Sequence, residues 1–482
     1  MSLFVKKSLE QLISQSGDSD KGLKRILGPT HLIALGIGAI MGAGLFVRTA
    51  EAASEAAGPA VVLSFVIAAV GCAFAGLCYA EFASMIPIAG SAYAYAYVTL
   101  GEFIAWIIGW ALILEYAVGS ATVSIAWSEY LNSLLGGVIP YKWCHSPFDV
   151  SSNGTNGIIN LPSIFILFIL TMILIKGTRE SATINTIIVF LKVSIVLVFI
   201  VVGWSFIRDG NYVPYIIPDS MPGHEGWNRH GWGGVLGGAG IVFYAFIGFD
   251  AVATAAQEAK NPKRNMPIGI LGSLLVCTIL FVLFSHVLTG VANWQEFKIA
   301  GKEASVAYTI KTYMLGYEWL ATLVTVAILA GFSSVILVLL MAQSRVFYSM
   351  SNDGLVPGVF SQLHPRFRTP FKSNLILFVF ASLFGGFAPA SVAGNLVSFG
   401  TLLAFILVCA GILLMRATHP DAKREFRTPL VPLVPVLGII ICSALIVALD
   451  SRTQWSALVW FIIGMIVYFL YGKKNSVIRQ GK

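Results

Sequence analysis

Charged residues are scarce in this chain of 482 residues, and their scarcity excludes an ordinary water-soluble domain. Asp, Glu, Lys and Arg together make up 11% of the residues, whereas soluble domains carry about 25%. Hydrophobic residues reach 57%, and the mean hydropathy is +0.82. A chain of this composition cannot hide its apolar surface from water, so we expect it to lie in a lipid bilayer.

Other features are missing as well. No His-rich, Cys-His or paired-acid cluster suggests an enzyme, a metal site or a cofactor. Five of the six cysteines lie in apolar runs and only Cys144 lies in a loop, so we expect no disulfide framework. The first thirty residues show no apolar core followed by a small-residue cleavage site, so we expect no removable signal peptide. The net charge of +8 is spread over short loops, so we expect no nucleic-acid partner.

Apolar runs of roughly 18 residues or more recur along the chain, each long enough to cross a hydrocarbon core about 30 Å thick. They predict an all-α membrane protein with twelve transmembrane helices. We call these segments one to twelve: 30–50, 60–86, 98–133, 159–176, 182–207, 234–256, 266–293, 315–350, 373–392, 394–416, 430–450 and 455–471. Residues 30–471 would form a single transmembrane domain, with tails at 1–29 and 472–482.

The distribution of Lys and Arg predicts the orientation of these segments. Of the 31 such residues, 22 lie in the tails and even-numbered loops, and Lys192 lies inside a segment. The positive-inside rule therefore places both termini in the cytoplasm. The remaining eight lie in odd-numbered loops: Arg48, Lys142, Arg208, Arg229, Lys298, Lys302, Lys311 and Arg452.

Segment one contains four glycines within nine residues: Gly36, Gly38, Gly42 and Gly44. Each glycine weakens a helix by about 1 kcal/mol relative to alanine. Unpaired backbone groups are tolerated at membrane depth only where protein or a water-filled cavity covers them. We therefore expect this helix to open near the middle of the bilayer. Close helix packing through small residues is the alternative.

Segment six contains a second candidate interruption. Gly237, Gly238 and Gly240 precede the stretch 243–250, which ends on Asp250 inside an otherwise apolar run. Interrupted helices at corresponding positions of two five-helix halves are typical of inverted-repeat transporters with a site at the midplane. Half-helix N-termini attract a carboxylate, and exposed carbonyls accept hydrogen bonds from an ammonium. A zwitterionic substrate carries both a carboxylate and an ammonium and would therefore fit such a site.

Glu115, Lys192 and Asp250 are ionisable and lie deep inside predicted segments. Lys192 is roughly ten residues, about 15 Å, from either end of its segment, so its side chain cannot easily reach water. An acid such as Glu115 would stabilise its charge, and a change in this pairing would move a proton on and off. A fixed pair that only orients helices is the alternative. The charged loops 257–264 and 345–354 are predicted to be solvated helix ends or, alternatively, gate or hinge elements.

Five groups of motifs follow one another along the chain: Gly38–Gly44; Tyr79–Ala83 with Pro87 and Gly90–Tyr93; Gly109–Trp110 with Leu114–Tyr116; Phe246–Asp250 with Asn261–Pro262; and Ser344–Arg345 with Asp353–Gly354. In this order they resemble the amino acid-polyamine-organocation (APC) transporters, and within them bacterial members of the cationic amino acid transporter family. The resemblance covers essentially the whole chain.

This resemblance implies a LeuT-type fold: two inverted five-helix repeats, about 30–207 and 234–416, and two added helices at about 430–471. It implies that the substrate carboxylate meets backbone amides of Ile40, Met41, Gly42, Ala43 and Gly44. The substrate ammonium would meet carbonyls of Tyr244, Ala245 and Ile247. Proton coupling would use Lys192, the carbonyls of Gly36 and Ile37, the hydroxyls of Ser333 and Ser334, and Glu115. Phe246, Asp250 and Leu339 would contact the substrate side chain or act as gates.

Departures from the family pattern refine the expected substrate. Eukaryotic cationic members look longer, with about fourteen helices. This chain stops near twelve, which favours a protein of the bacterial plasma membrane. The bulky stretch 335–340 should narrow the pocket, so we expect proton-coupled uptake of small or neutral amino acids such as alanine. A transporter of cationic amino acids, an exchanger, and an amino acid sensor remain alternatives. Whether a small accessory membrane subunit binds is left open.

Overall fold

The computed structural model describes residues 5–8, 25–42, 44–88, 90–149, 154–219, 221, 224, 226–298, 305–388, 390–448 and 451–480. Within these ranges it contains helices, turns and loops but no β-sheet; one isolated bridge joins Leu27 to Ala259. Helices cover all twelve predicted segments. Their bounds are Pro29–Ile40 with Gly44–Arg48, Thr49–Ala52 and Ala53–Ala57; Val61–Met85; Glu102–Leu112 with Ile113–Val118 and Gly119–Leu134; Leu161–Lys176; Thr178–Trp204; Gly231–Phe243 with Ala251–Thr254; Pro262–Val291; Glu318–Asn352; Phe371–Phe387; Ala390–Thr418; Leu433–Ala448; and Ser451–Val467.

Eight helical stretches in the described part are long and apolar enough to cross a membrane, and four shorter apolar helices accompany them. The outward faces of these helices carry large apolar side chains. Phe190, Val201 and Leu275, for example, are 75%, 70% and 62% exposed. Apolar faces of this size fit lipid rather than water. The predicted class, an all-helical membrane protein, is therefore confirmed.

The helices pack as two groups. Segment seven packs against segments one and two, and segment two packs against segment six. Segment eight packs against segment three, while segment nine packs against segments four and three. Segment five lies between the groups because it contacts both segment one and segment eight. Side chains from both groups therefore meet where segments one, five and eight come together.

Two helices of nine residues each in the described part of the chain were not predicted from the sequence. One spans Ser91–Thr99, and segment three starts only after it, at Glu102 rather than at residue 98. Gly101 separates the two helices with a φ of +96°, a conformation that side chains with a Cβ rarely adopt. The other short helix, Ser305–Tyr313, lies in the predicted external loop before segment eight.

The loop after segment six is buried against segment eight. Glu258 forms an ion pair with Arg345 at 2.8 Å, and both side chains are at most 1% exposed. The backbone N–H of Leu27 donates to the Glu258 carbonyl, and the N–H of Lys260 donates to the Leu27 carbonyl. For Glu258 and Arg345 the prediction of solvated helix ends is therefore wrong. Through these contacts the start of segment one is connected to the loop after segment six and to segment eight.

The described parts of both chain ends dock beside this loop. Lys7 forms an ion pair with Asp353 at the end of segment eight. Arg479 donates to Glu102 at the start of segment three at 2.6 Å, and Glu102 is fully buried. The Val477 N–H also donates to the Asp353 carbonyl. The N- and C-terminal residues therefore cover the same end of the helices.

Candidate functional site

The first interruption lies among the glycines of segment one. The helix Pro29–Ile40 ends, Met41 adopts a ψ of 86°, and helical structure resumes at Gly44. Ala43, a predicted contact of the substrate carboxylate, lies outside the described residues. The helix opens in the middle of the segment, as the glycine pattern predicts.

This interruption frees two backbone carbonyls. In a continuous helix the Gly38 carbonyl would accept from residue 42 and the Met41 carbonyl from residue 45. The Gly42 N–H donates instead to Ile40 (3.0 Å), and the Leu45 N–H donates to Gly42 (3.2 Å). The carbonyls of Gly38 and Met41 therefore need donors from elsewhere, because buried backbone groups without partners are costly.

Lys192 supplies these donors. Its fully buried ammonium lies 2.7 Å from the Met41 carbonyl and 3.2 Å from the Gly38 carbonyl. The sequence placed Lys192 near the carbonyls of Gly36 and Ile37, and that position is wrong. The Ile37 carbonyl already accepts the Met41 N–H at 2.9 Å, and Gly36 lies within the helix. The cation binds where the helix stops, one turn further along.

The two serines of segment eight do not donate to or accept from Lys192. Ser333 donates to the Leu329 carbonyl of its own helix at 2.9 Å, and Ser334 donates to Asn185 Oδ1 at 2.6 Å. Asn185 was missed from the sequence. It lies seven residues before Lys192, which places both on one face of segment five, and this spacing is the signal that could have identified it.

The second interruption lies in segment six. The helix Gly231–Phe243 passes into one tight turn, Tyr244–Phe246, and then into extended backbone at Ile247 with a ψ of 137°. Gly248 follows with a φ of +107°, and helix resumes at Ala251–Thr254. The segment is therefore open over several residues, and its carbonyl groups there lie outside regular helix.

The two interruptions touch each other through glycines. A Cβ atom on Gly44 would lie 2.2 Å from Ala245 Cα, and one on Gly248 would lie 2.8 Å from Ala39 Cβ. Real Cβ atoms do not approach so closely, so only glycine allows the two backbones to meet at these positions. The glycines thus serve both alternatives considered for segment one: they open the helix and they permit close packing.

A cavity of about 30 Å³ lies between the interruptions and segments three, eight and ten. It has room for roughly two water molecules. Five of the predicted substrate-binding residues line it, as does Leu339. The wall consists of Ala39, Ile40, Gly42, Gly44, Glu115, Gly119, Val123, Tyr244, Ile247, Val335, Leu339 and Val397.

Four predicted contact or gating residues do not line this cavity: Met41, Ala245, Phe246 and Asp250. Met41 presents its carbonyl to Lys192, and Ala245 packs against Gly44. Phe246 is fully buried, with its ring 5.2 Å from the ring of Phe281. A tight turn with three residues per turn places residues 244 and 247 on one side and residue 246 on another. Phe246 is therefore part of the core rather than of the cavity wall.

Glu115 and Asp250 lie next to each other, and Lys192 pairs with neither. Both acids are fully buried. Asp250 accepts a hydrogen bond from Tyr116, but its other oxygen and both oxygens of Glu115 have no hydrogen-bond partner among the described residues. The expected Lys192–Glu115 pair is therefore absent. Ionising both of two adjacent buried carboxyl groups would be costly, so a proton or a cation is needed at this pair.

Known proteins resemble this chain over its whole length. A family model described as amino acid permease matches residues 27–468. The chain is 42% identical to the branched-chain amino acid permease BcaP of Bacillus subtilis (strain 168), across 99% of both chains. It is 39% identical to the methylthioribose transporter of the same organism, across 99% of this chain and 100% of that protein. A vacuolar cationic amino acid transporter 4 of Arabidopsis thaliana is 34% identical, across 87% of this chain and 68% of that protein.

These relatives are named as permeases and transporters, not as enzymes, which agrees with the absence of a catalytic cluster from the sequence. The resemblance to APC transporters, and to the cationic amino acid transporters among them, is confirmed. Interrupted apolar helices around a small buried cavity fit such a protein. The chain is a multi-pass membrane protein of the APC superfamily and belongs to the amino acid permease family.

Proposed function

We propose that this protein is a secondary active transporter of neutral L-amino acids with aliphatic side chains. The cavity between the two interrupted helices carries the proposal, because it combines backbone polar groups with apolar walls. Val123, Val335, Leu339 and Val397 form these walls. Aliphatic side chains gain free energy in such a pocket, whereas an unpaired charge would lose its hydration. The relative named as a branched-chain permease supports valine, leucine and isoleucine beside the smaller alanine.

The backbone at the interruptions would hold the substrate's charged groups. The amides of Met41 and Gly42 already donate within segment one, so the substrate carboxylate would lie closer to Gly44. Helical structure is continuous from residue 44 to residue 57, and the first N–H groups of a helix have no partner within it. Carbonyls of the open stretch in segment six, at Tyr244 and Ile247, would accept hydrogen bonds from the ammonium.

Lys192 would couple transport to a proton. Its ammonium holds the two freed carbonyls of segment one, so loss of the proton would weaken the attachment of this segment to segment five. One proton suffices energetically. A membrane potential of about 100 mV supplies about 2.3 kcal/mol per charge, which corresponds to roughly fifty-fold accumulation at about 1.4 kcal/mol per tenfold.

The proposed architecture has twelve transmembrane helices in two inverted five-helix repeats, with segments eleven and twelve added. The interruptions in segments one and six, at equivalent places in two halves, support it. So does the packing, which groups segments one, two, six and seven apart from three, four, eight and nine. Both termini would face the cytoplasm of a bacterium, as the charge distribution predicts.

The cavity is smaller than an amino acid, which supports a closed state of the transport cycle. The buried pair Glu258–Arg345 closes the end near the chain termini. At the opposite end of segment one, Arg48 and Glu51 form a half-exposed pair, and Arg48 lies over the ring of Tyr244. Alternating access would require these contacts to break in turn.

Transport of cationic amino acids is the second candidate. Glu115 lines the cavity with both carboxylate oxygens unbonded, and it could receive a cationic side chain. The plant cationic amino acid transporter among the relatives also supports a cationic substrate. Methylthioribose, named for another relative, is a further compound to test. A sensor would bind substrate without moving it against a gradient.

The decisive experiment is uptake of radiolabelled valine and alanine into proteoliposomes, with an imposed inward proton gradient, with and without sodium. Wild type is compared with Lys192→Ala, and unlabelled leucine, arginine and methylthioribose are added as competitors. We expect accumulation that needs the proton gradient, ignores sodium, is abolished in the variant and is inhibited by leucine alone.

The other outcomes separate the alternatives. Inhibition by arginine would favour the cationic substrate class, and inhibition by methylthioribose would favour the sugar. Uptake that requires unlabelled amino acid inside the vesicles would indicate an exchanger. Binding without uptake under any gradient would indicate a sensor. If Lys192→Ala accumulated valine as wild type does, Lys192 would not be the coupling site.

A further inference from the structure

A single buried amide joins three segments beside Lys192. Asn185 of segment five is 2% exposed. Its Nδ2 donates to the Ala34 carbonyl of segment one at 3.0 Å, and its Oδ1 accepts the hydroxyl of Ser334 in segment eight at 2.6 Å. Both functions of the amide are therefore used, each by a different helix. The contact bridges the two groups of helices.

Asn185 and Lys192 hold segment one at two matched points. They lie seven residues apart on segment five, which is two helical turns or about 10.5 Å. Their acceptors Ala34 and Met41 are also seven residues apart. Segments one and five therefore run in the same direction here, with one neutral anchor and one charged anchor. Only the charged anchor changes with protonation.

Gly38 connects the neutral anchor to the charged one. A Cβ atom on Gly38 would lie 2.6 Å from Asn185 Oδ1 and 2.7 Å from Ser334 Oγ. The carbonyl of the same residue accepts a hydrogen bond from Lys192. The Asn185–Ser334 pair thus packs directly against the residue that presents one of the freed carbonyls. A shift of this pair would move that carbonyl relative to the ammonium.

We infer that Asn185 is a positioning residue, which holds the freed carbonyls of segment one at hydrogen-bond distance from Lys192. The inference rests on the proposed proton coupling at Lys192. Ala34 lies inside a regular helix, so its carbonyl does not depend on Asn185 for a partner. The amide serves instead to fix where the helix lies, and removing it should leave no orphaned backbone group.

The consequence is a change in the pH dependence of transport. Well-placed carbonyls favour the charged form of Lys192, so loosening them should make it release its proton at lower pH. Cys277 of segment seven is a further titratable group near Lys192. Segment one faces the ammonium with the carbonyls of Gly38 and Met41, and segment eight packs Gly331 against the Lys192 stem. A shifted pH profile therefore reports on the placement of segment one.

The test uses Asn185→Leu, which keeps the shape of the side chain and removes both hydrogen bonds. Thr186→Val is the matched control, because Thr186 is the next residue and bonds only to Ala182 of its own helix. Valine uptake into proteoliposomes is measured against pH. We expect half-maximal uptake of Asn185→Leu to move to lower pH by about half a unit or more. The KM at saturating proton concentration should stay unchanged, and the control should match wild type.

Two further variants address the possibility that Asn185→Leu fails to fold. Ser334→Ala removes the tie to segment eight alone and should give a smaller shift in the same direction. Asn185→Asp keeps the acceptor for Ser334 but can donate to Ala34 only when protonated. Its uptake should therefore fall more steeply than that of wild type as the pH rises.

A second readout separates this inference from the proposed function. The melting temperature of purified protein is measured as a function of pH. The part of this pH dependence that disappears in Lys192→Met reports the titration of Lys192 without any transport. A lower midpoint in Asn185→Leu supports the inference even if wild-type uptake proves independent of protons, which would refute only the coupling. An unchanged midpoint, or uptake reduced equally at every pH, would overturn the positioning role.

Discussion

The ionisable groups buried at the two interrupted helices differ in their hydrogen-bond partners. At the interruption of segment one, Lys192 donates to both freed carbonyls, Gly38 and Met41. Beside the interruption of segment six, three carboxyl oxygens of Glu115 and Asp250 have no hydrogen-bond partner among the described residues. All these groups are inaccessible to solvent. Backbone dipoles therefore stabilise the charge at one interruption, whereas the acids beside the other still need a proton or a cation.

This difference makes the Lys192 contact a fixed element and the Glu115–Asp250 pair a labile one. The cation is held by geometry that the chain itself provides, because the freed carbonyls exist wherever the helix stops. The acids need something from outside the chain, either a proton or a cationic ligand, to satisfy their oxygens. Changes at the first interruption should therefore lower both stability and coupling, whereas changes at the second should affect transport more than stability.

The largest effect is expected from Lys192→Gln, which replaces the ammonium with a shorter, neutral amide. Gradient-driven accumulation of valine should fall from roughly fifty-fold to equality across the membrane. The melting temperature should also fall, because the variant loses charge-assisted hydrogen bonds worth about 1.5–3 kcal/mol each. Uptake in proteoliposomes and thermal unfolding in detergent measure these two effects.

Counterflow of labelled valine provides the control for this variant. The Lys192 side chain does not line the cavity proposed as the substrate site, so exchange without a gradient should persist. If both exchange and accumulation disappeared while the protein remained folded, Lys192 would serve substrate binding rather than coupling.

The next effect belongs to Leu339, which lines the cavity between the two interruptions. Leu339→Ala removes part of the wall against an aliphatic side chain, and the KM for valine should rise about tenfold, the lower end of what such contacts contribute. Phenylalanine should be accepted better than by wild type. Competition against labelled valine measures both changes.

Leu323→Ala is the matched control for this substitution, since Leu323 lies on the same helix and is 40% exposed on its outer face. Its KM should equal that of wild type. Equal effects of the two substitutions would mean that Leu339 acts through helix stability, and the cavity would then not be the site of the side chain.

The sequence was sufficient to identify the interruptions but insufficient to identify the partners of Lys192. Glycine spacing predicts that segment one opens, yet which carbonyls become free depends on the residue at which the helix stops. That residue is Met41, one turn later than the predicted carbonyls. The predicted role of Phe246 is not supported, for a related reason. The tight turn before Ile247 rotates the Phe246 side chain away from the cavity, and hydrophobicity alone does not reveal such a turn.

A smaller effect, of opposite sign for stability, is expected from Glu115→Gln. This substitution removes one of two adjacent acids and cannot break an ion pair, since Glu115 has none among the described residues. The melting temperature should stay unchanged or rise, in contrast to Lys192→Gln, because a neutral amide replaces one of two adjacent buried acids. Valine uptake should fall a few-fold if a proton at this pair takes part in transport. A marked drop in melting temperature would contradict the absence of a partner for Glu115.

The smallest effect tests the hydrogen bond that the acid pair receives from Tyr116. Tyr116→Phe removes the hydroxyl that donates to Asp250, and unfolding should become easier by about 1 kcal/mol, the usual net contribution of such a bond. Tyr95→Phe is the matched control, because the buried hydroxyl of Tyr95 has no hydrogen-bond partner in the described structure. Its removal should leave stability unchanged or improve it. If both substitutions destabilised the protein equally, Tyr116 would act through packing alone, and its hydroxyl would contribute nothing measurable to the stability of Asp250.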